Sequence, residues 1–215
     1  MTNPTVSLTF DNGPTPGVTE GVLDVLDAHG VPATFFAIGN KLATPVGQAL
    51  GGRIVAAGHR LGGHTWSHEV QFGDAEPARV DEELDRTGEV VEAAGGEPML
   101  FRPYGAGGVI DGRLMSRFGA DRLRSKGWTC VLWNVLPGDW RDQAGWVEAA
   151  RAGIDRESWA VVVLHDIADA ALPRLDELIA SLAGRVRWSQ EFPDECTPIR
   201  DGVPTASFDM LLAAT

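Results

Sequence analysis

Two histidines four residues apart, His64 and His68, stand out in a chain that holds only 5. Residues i and i+4 share one face of a helical turn, so both imidazoles can converge on a single cation. Imidazole nitrogen suits zinc and its neighbours in the first transition row. Groups of complementary chemistry are spread along the rest of the chain. Asp11 is a carboxylate that can take a proton from an activated water, and His165 can give one to a leaving amine. Arg102 closes an apolar run, where a guanidinium needs a carboxylate partner, and Asp11 is the natural one. Taken singly, each has a structural explanation as well. The histidine pair can serve as caps or core, Asp11 opens the tight-turn sequence Asn12-Gly13-Pro14, and a lone histidine after a strand is usually satisfied by backbone.

The elements that must carry these residues decide between the two readings. Apolar runs of strand length fall at residues 5–10, 33–38, 60–63, 99–102, 129–134, 160–164 and 186–189. Between them lie helical stretches at 19–29, 45–57, 77–94, 111–126, 142–154 and 170–183. In the third helix Val80, Leu84 and Val91 share one face. Gly30, Gly58, Gly95 and Gly127 stand where helix C-caps belong. Such alternation predicts an α/β fold with a mostly parallel sheet, and seven units favour a closed or distorted barrel over an open sheet. On that map Asp11 and Asn12, His64, Arg102, Asp139 and His165 all follow the carboxyl ends of strands. In an α/β barrel those ends form one face, and that face carries the active site.

Bulk properties bound the partners. The 215 residues suffice for one domain over 1–215, with 190–215 a less regular C-terminal cap. A formal net charge of -12 argues against nucleic acid or an anionic membrane surface as partner. No apolar stretch reaches the ~18 residues that span a bilayer, and Met1 leads almost at once into TVSLTF without signal-peptide features, so cytoplasmic residence is the expectation. Cys130 lies in the apolar WTCVLW and Cys196 in a Pro-flanked tail, a pattern that makes neither a disulfide framework nor a metal motif. Of the tryptophans, Trp66 and Trp140 are the candidates for stacking on a sugar ring, although core packing is the commoner fate.

Five segments in this order resemble the motifs of the polysaccharide deacetylase family, the NodB-homology domains of carbohydrate esterase family 4. They are TFDNGP (9–14), HTWSH (64–68), FRPYG (101–105), GDW (138–140) and VVLHD (162–166), with VPATFFAIG (31–39) similar to the segment after the family's first helix. The resemblance covers about residues 5–170. It implies a distorted (β/α)7 barrel and metal-dependent hydrolysis of an N-acetyl amide on an amino sugar or oligo/polysaccharide. It also implies roles: Asp11 as general base oriented by Arg102, and His165 as general acid tuned by Asp139. His64, His68 and Asn12 would hold a divalent metal, zinc first, with cobalt or nickel as alternatives. The backbone N–H of Tyr104 would serve the oxyanion, and Trp140 and Leu164 would line the acetyl pocket.

Three departures from the family pattern stand in this sequence. The usual metal-binding Asp is Asn12, whose amide oxygen can coordinate but brings no charge. Arg102-Pro103-Tyr104 is one residue shorter than the common Arg-Pro-Pro-Tyr. The Asp often found three residues before Asp-Trp is Leu136. Two other functions are compatible with the pattern, hydrolysis of a small cyclic or linear amide inside the cell and a carbohydrate-binding homologue without catalysis. Retention of Asp11, both histidines and His165 argues against the last, because a binding module needs none of the four.

Overall fold

In the computed structural model, which describes residues 3–212, the strands are β1 (Thr5–Asp11), β2 (Ala33–Ala37), β3 (Arg60–Gly63), β4 (Leu100–Phe101), β5 (Thr129–Cys130), β6 (Trp159–His165), β7 (Arg187–Trp188), β8 (Ile199–Arg200) and β9 (Val203–Pro204). The helices are α1 (Val18–His29), α2 (Gly39–Leu42), α3 (Pro45–Ala56), α4 (Pro77–Ala93), α5 (Arg117–Ser125), α6 (Trp146–Ile154) and α7 (Leu172–Leu182). Neighbouring strands run β6-β1-β2-β3-β4-β5 in parallel, as right-handed strand–helix–strand crossovers require. β7 pairs with Thr5 and Val6 at the start of β1, below the point where β2 begins opposite Leu8. Each of the seven expected strands is present.

Strand alternation sorts the core into two layers. Val6, Leu8 and Phe10 of β1, Phe35 of β2 and Val162 and Leu164 of β6 pack outward against α1, α6 and α7. Phe36, Phe101, Val161 and Val163 face the other way, into the barrel. On β1 the inward positions are Ser7, Thr9 and Asp11, so polar groups occupy the interior on that side. This parity places Asp11 inside.

The barrel closes where the chain after β5 swings from β4 to β6. Val131 N–H still donates to Phe101 O at 2.9 Å, whereas Val135 pairs with β6 through Val135 N–H to Val161 O at 3.2 Å and Val163 N–H to Val135 O at 2.9 Å. The Asn134 side chain makes the join: its Oδ1 accepts Val161 N–H at 2.7 Å and its Nδ2 donates to Trp159 O at 2.9 Å. This swing shortens the strand expected over 129–134 and distorts the barrel. The helix expected over 111–126 also begins later, at Arg117, because Met115 is used in bridges to Phe72 and Leu212. Of the C-terminal stretch 190–215, residues 213–215 lie outside the described residues. The remainder adds the β8–β9 hairpin antiparallel to β5. No helix among the described residues is long and apolar enough to cross a membrane.

Asn134→Ala removes the acceptor of Val161 N–H, a backbone group with no exposure. An orphaned buried donor costs about 1–3 kcal/mol. Urea unfolding should report a loss of that size, and an unchanged midpoint would mean the barrel seam is held elsewhere.

Candidate active site

Asp11 is the last residue of β1, and Arg102 follows β4. The guanidinium is wholly buried and donates from Nη1 to Asp11 Oδ1 at 2.8 Å and to Thr9 Oγ1 at 2.7 Å. Its Nε and Nη2 donate to the carbonyls of Val131 and Leu132, where the chain turns from β4 to β6, and its plane lies 4.2 Å from the Phe36 ring. Burial pushes the Asp11 carboxyl up. The combined pull of Arg102, His64 and His165 outweighs that push and leaves it below the ordinary carboxylate range. Asp11 is therefore ionised, with Oδ1 committed to Arg102 and Oδ2 turned toward His64, 3.7 Å from its Nε2.

His64 Nδ1 lies 2.9 Å from Arg102 O. A carbonyl only accepts, so that nitrogen carries the proton and the neutral ring presents the Nε2 lone pair to the site. Burial lowers the His64 pKa. It lowers that of His68 to about 3, with His64 adding to the effect, so both rings are neutral near neutral pH. The two ring centroids are 4.9 Å apart, and the Tyr104 ring packs tilted against His68 at 4.1 Å. They do not share a helical turn as expected from their spacing. Residues 64–68 form a loop in which Thr65 and His68 take positive φ, and this loop brings the rings together.

Asn12 Oδ1 is buried and has no hydrogen-bond partner. It lines the same pocket as His64 and His68, so two imidazole nitrogens and one carboxamide oxygen form a donor set suited to zinc, cobalt or nickel. Among the described residues no group of three His, Cys, Asp or Glu has that disposition. The unpartnered amide oxygen is therefore free to act as a third donor beside the two imidazoles.

Opposite stands His165, the last residue of β6. Its backbone N–H donates to Asp139 Oδ2 at 2.8 Å, and its Nδ1 is 2.9 Å from Asp139 Oδ1. Asp139 is fully buried and holds the ring with Nε2 toward the pocket. Trp140 packs edge-on against His165 at 4.5 Å. The pocket holds about 280 Å3 and is bounded by Asp11, Asn12, the three histidines and Tyr104, with an apolar wall from Trp133, Leu136, Trp140 and Ile167.

One expectation is corrected. Leu164 does not line the pocket: it is turned outward into the layer against the helices. His165 points inward, and side chains alternate along a strand, so Val163 takes that place on the pocket wall. Trp66 lies outside the pocket too, with the Arg86 guanidinium 3.8 Å over its ring.

Two further carboxylates, given no role by the sequence pattern, are buried beside the site. Glu83 occupies the buried face of α4 beside Val80 and Leu84, and a charge on an apolar helix face is the signal that could have revealed it. Asp166, next to His165, fills the space a side chain on Gly13 would need, which is why the turn after Asp11 requires glycine. Burial pushes the Asp166 carboxyl up to about 7 against the Thr19 hydroxyl and nearby Lys41.

The chain belongs to the polysaccharide deacetylase family, whose family model, described as Polysaccharide deacetylase, matches residues 1–117. It is 34% identical over 173 residues to the chitooligosaccharide deacetylase of Bradyrhizobium sp., covering 75% of this chain and 70% of that one. It is 30% identical over 182 residues to the peptidoglycan-N-acetylglucosamine deacetylase PgdA of Listeria monocytogenes, covering 84% of this chain but only 36% of that enzyme's length. In three dimensions it is similar to a family 4 carbohydrate esterase from Streptomyces lividans solved with acetate. That similarity has a TM-score of 0.73 at 29% identity, covering 91% of this chain and 96% of the other. The expected distorted (β/α)7 fold is borne out by the sheet and by this likeness.

Arg102→Met leaves the Asp11 charge buried without its partner. The expected cost is about 3–5 kcal/mol in urea unfolding, and a cost below about 1 kcal/mol would show that Asp11 draws its support elsewhere. For Asp166 the folded pKa lies above the unfolded one, so its stabilising contribution is complete at low pH and lost as pH rises toward 7. The Tm of the wild type should accordingly fall relative to that of Asp166→Asn between about pH 4 and about pH 7, whereas a constant difference would mean that the carboxyl does not titrate there.

Proposed function

We propose that the chain is a metal-dependent deacetylase that hydrolyses the N-acetyl amide of an amino sugar or its oligomers. The observation that carries this reading is the meeting, in one pocket, of an ionised Asp11 oriented by Arg102, the His64–His68–Asn12 donor set and the Asp139-held His165. His64, His68 and Asn12 would hold a divalent ion, and its Lewis acidity would polarise an amide carbonyl and acidify a water. Asp11 accepts the water's proton at Oδ2, since Oδ1 is engaged by Arg102. His165 delivers a proton from Nε2 to the departing nitrogen, and Asp139 keeps that nitrogen aimed. The Tyr104 backbone N–H stabilises the oxyanion. Trp140 and Val163 enclose the acetyl methyl.

A second reading, hydrolysis of a small cyclic or linear amide, draws support from the pocket wall. Trp133, Leu136 and Ile167 offer little hydrogen bonding to sugar hydroxyls, and the volume of about 280 Å3 lies at the low end of small-molecule sites.

Acetate release from chitooligosaccharides, with and without chelator, separates these readings. Turnover that stops with chelator and returns with zinc or cobalt supports the deacetylase. Bound metal without acetate release from any amino sugar would shift the assignment to the small amide. His165→Ala should lower kcat by about 10²–10⁴-fold while metal content stays unchanged, and undiminished turnover would remove the acid role.

A further inference from the structure

The turn between the two histidines adopts a conformation that its own residues resist. Thr65 sits at φ 61° and His68 at φ 58°, a left-handed region that β-branched and bulky side chains rarely occupy. Such a backbone persists only where its surroundings hold it. Part of the hold is local. Thr65 Oγ1 accepts His68 N–H at 3.0 Å, and Thr65 O and Trp66 O accept the N–H groups of Gly39 and Asn40 at 2.9 and 3.0 Å.

The rest comes from a distant element. Glu83 of α4 has no exposure, and both its oxygens meet the turn. Oε2 accepts Trp66 N–H at 2.6 Å and Ser67 N–H at 2.9 Å, and Oε1 accepts the Ser67 hydroxyl at 2.7 Å. Arg79, one helical turn earlier, pairs with Oε1 at 2.7 Å. A buried carboxylate is tolerable only when hydrogen-bonded and paired, and here the N–H groups it satisfies are those of the turn that ends at His68. His64 is held independently, by β3 and by Arg102 O.

We infer that Glu83 is a positioning residue, acting through the Trp66–Ser67 turn to set His68 against His64 and Asn12. The inference rests on the reading of these three as a metal-binding set. With a neutral carboxamide as third donor, electrostatic attraction for a dication is reduced, and the fixed placement of the imidazoles carries more of the affinity. Gln is isosteric with Glu but has one oxygen and no charge. With that oxygen on the Trp66 and Ser67 N–H groups its NH2 meets Arg79, and the charge-assisted bonds to the turn weaken, so Glu83→Gln loosens the turn without opening a cavity. Val80→Ala, on the same helix and equally buried, is the control: it destabilises α4 packing without touching the turn.

The test compares wild type, Glu83→Gln and Val80→Ala by zinc competition against a chromogenic chelator, by cobalt ligand-field absorption and by histidine ring NMR of the metal-free proteins. Glu83→Gln should weaken zinc binding by about ten- to a hundredfold, alter the cobalt spectrum and shift the His68 ring signals while leaving those of His64. Val80→Ala should bind zinc like wild type at a comparable loss of Tm. Wild-type affinity, spectrum and His68 signals in Glu83→Gln would overturn the inference, as would an equal loss of affinity in Val80→Ala. A wild-type protein that binds neither zinc nor cobalt would sink the deacetylase reading instead, and the metal-free NMR comparison would still decide the role of Glu83.

Discussion

The guanidinium of Arg102 has no contact with solvent, yet it lies in a barrel lined by aromatic rings. Such a charge survives only if each of its nitrogens finds an acceptor and an anion lies close. Arg102 meets the demand with Asp11, Thr9 and the carbonyls of Val131 and Leu132. Those four groups come from the first strand and from the segment that closes the barrel. The ion pair therefore fixes Asp11 in its ionised form and ties the seam of the sheet to the centre of the pocket. Through its own carbonyl, Arg102 also sets the tautomer of His64.

The remaining groups follow from this anchor. Asp11 and Arg102 offset one another, so a dication bound as proposed would gain little from net charge and would rely on ligand placement. For the proposed metal-binding set of Asn12, His64 and His68, geometry then matters more than field. Their placement in turn depends on the backbone of the 64–68 loop and on the partners that hold it. On the opposite wall Asp139 does for His165 what Arg102 does for Asp11, fixing one end of the side chain so that the other faces the pocket.

Much of this was legible in the sequence, and the failures have physical causes. Strands announced themselves as apolar runs ended by a polar residue, because a parallel strand is covered on both faces until it reaches the open end of the barrel. The strand over 129–134 was overextended because apolar composition does not record which neighbour a strand pairs with, and this segment changes partners midway. The alternation that puts Val163 and not Leu164 on the pocket side is readable from the chain: residues two apart share a face, and His165 and Val163 are two apart. Glu83 could have been suspected from its position among apolar residues of α4, but its partner turn lies outside that helix.

By itself the sequence determined the alternation of elements, the face on which the polar residues gather and the types of group available there. These follow from short-range periodicity and from residue chemistry, which one chain carries without reference to its fold. Tertiary structure decided the rest: that His64 and His68 converge through a left-handed loop and not a helical turn, that Val163 and not Leu164 reaches the pocket, and that Glu83 and Asp166 are buried against the site. Each of these is a relation between residues from different elements or a backbone angle imposed by distant contacts. Only packing fixes such relations, because only packing brings those partners within hydrogen-bonding distance.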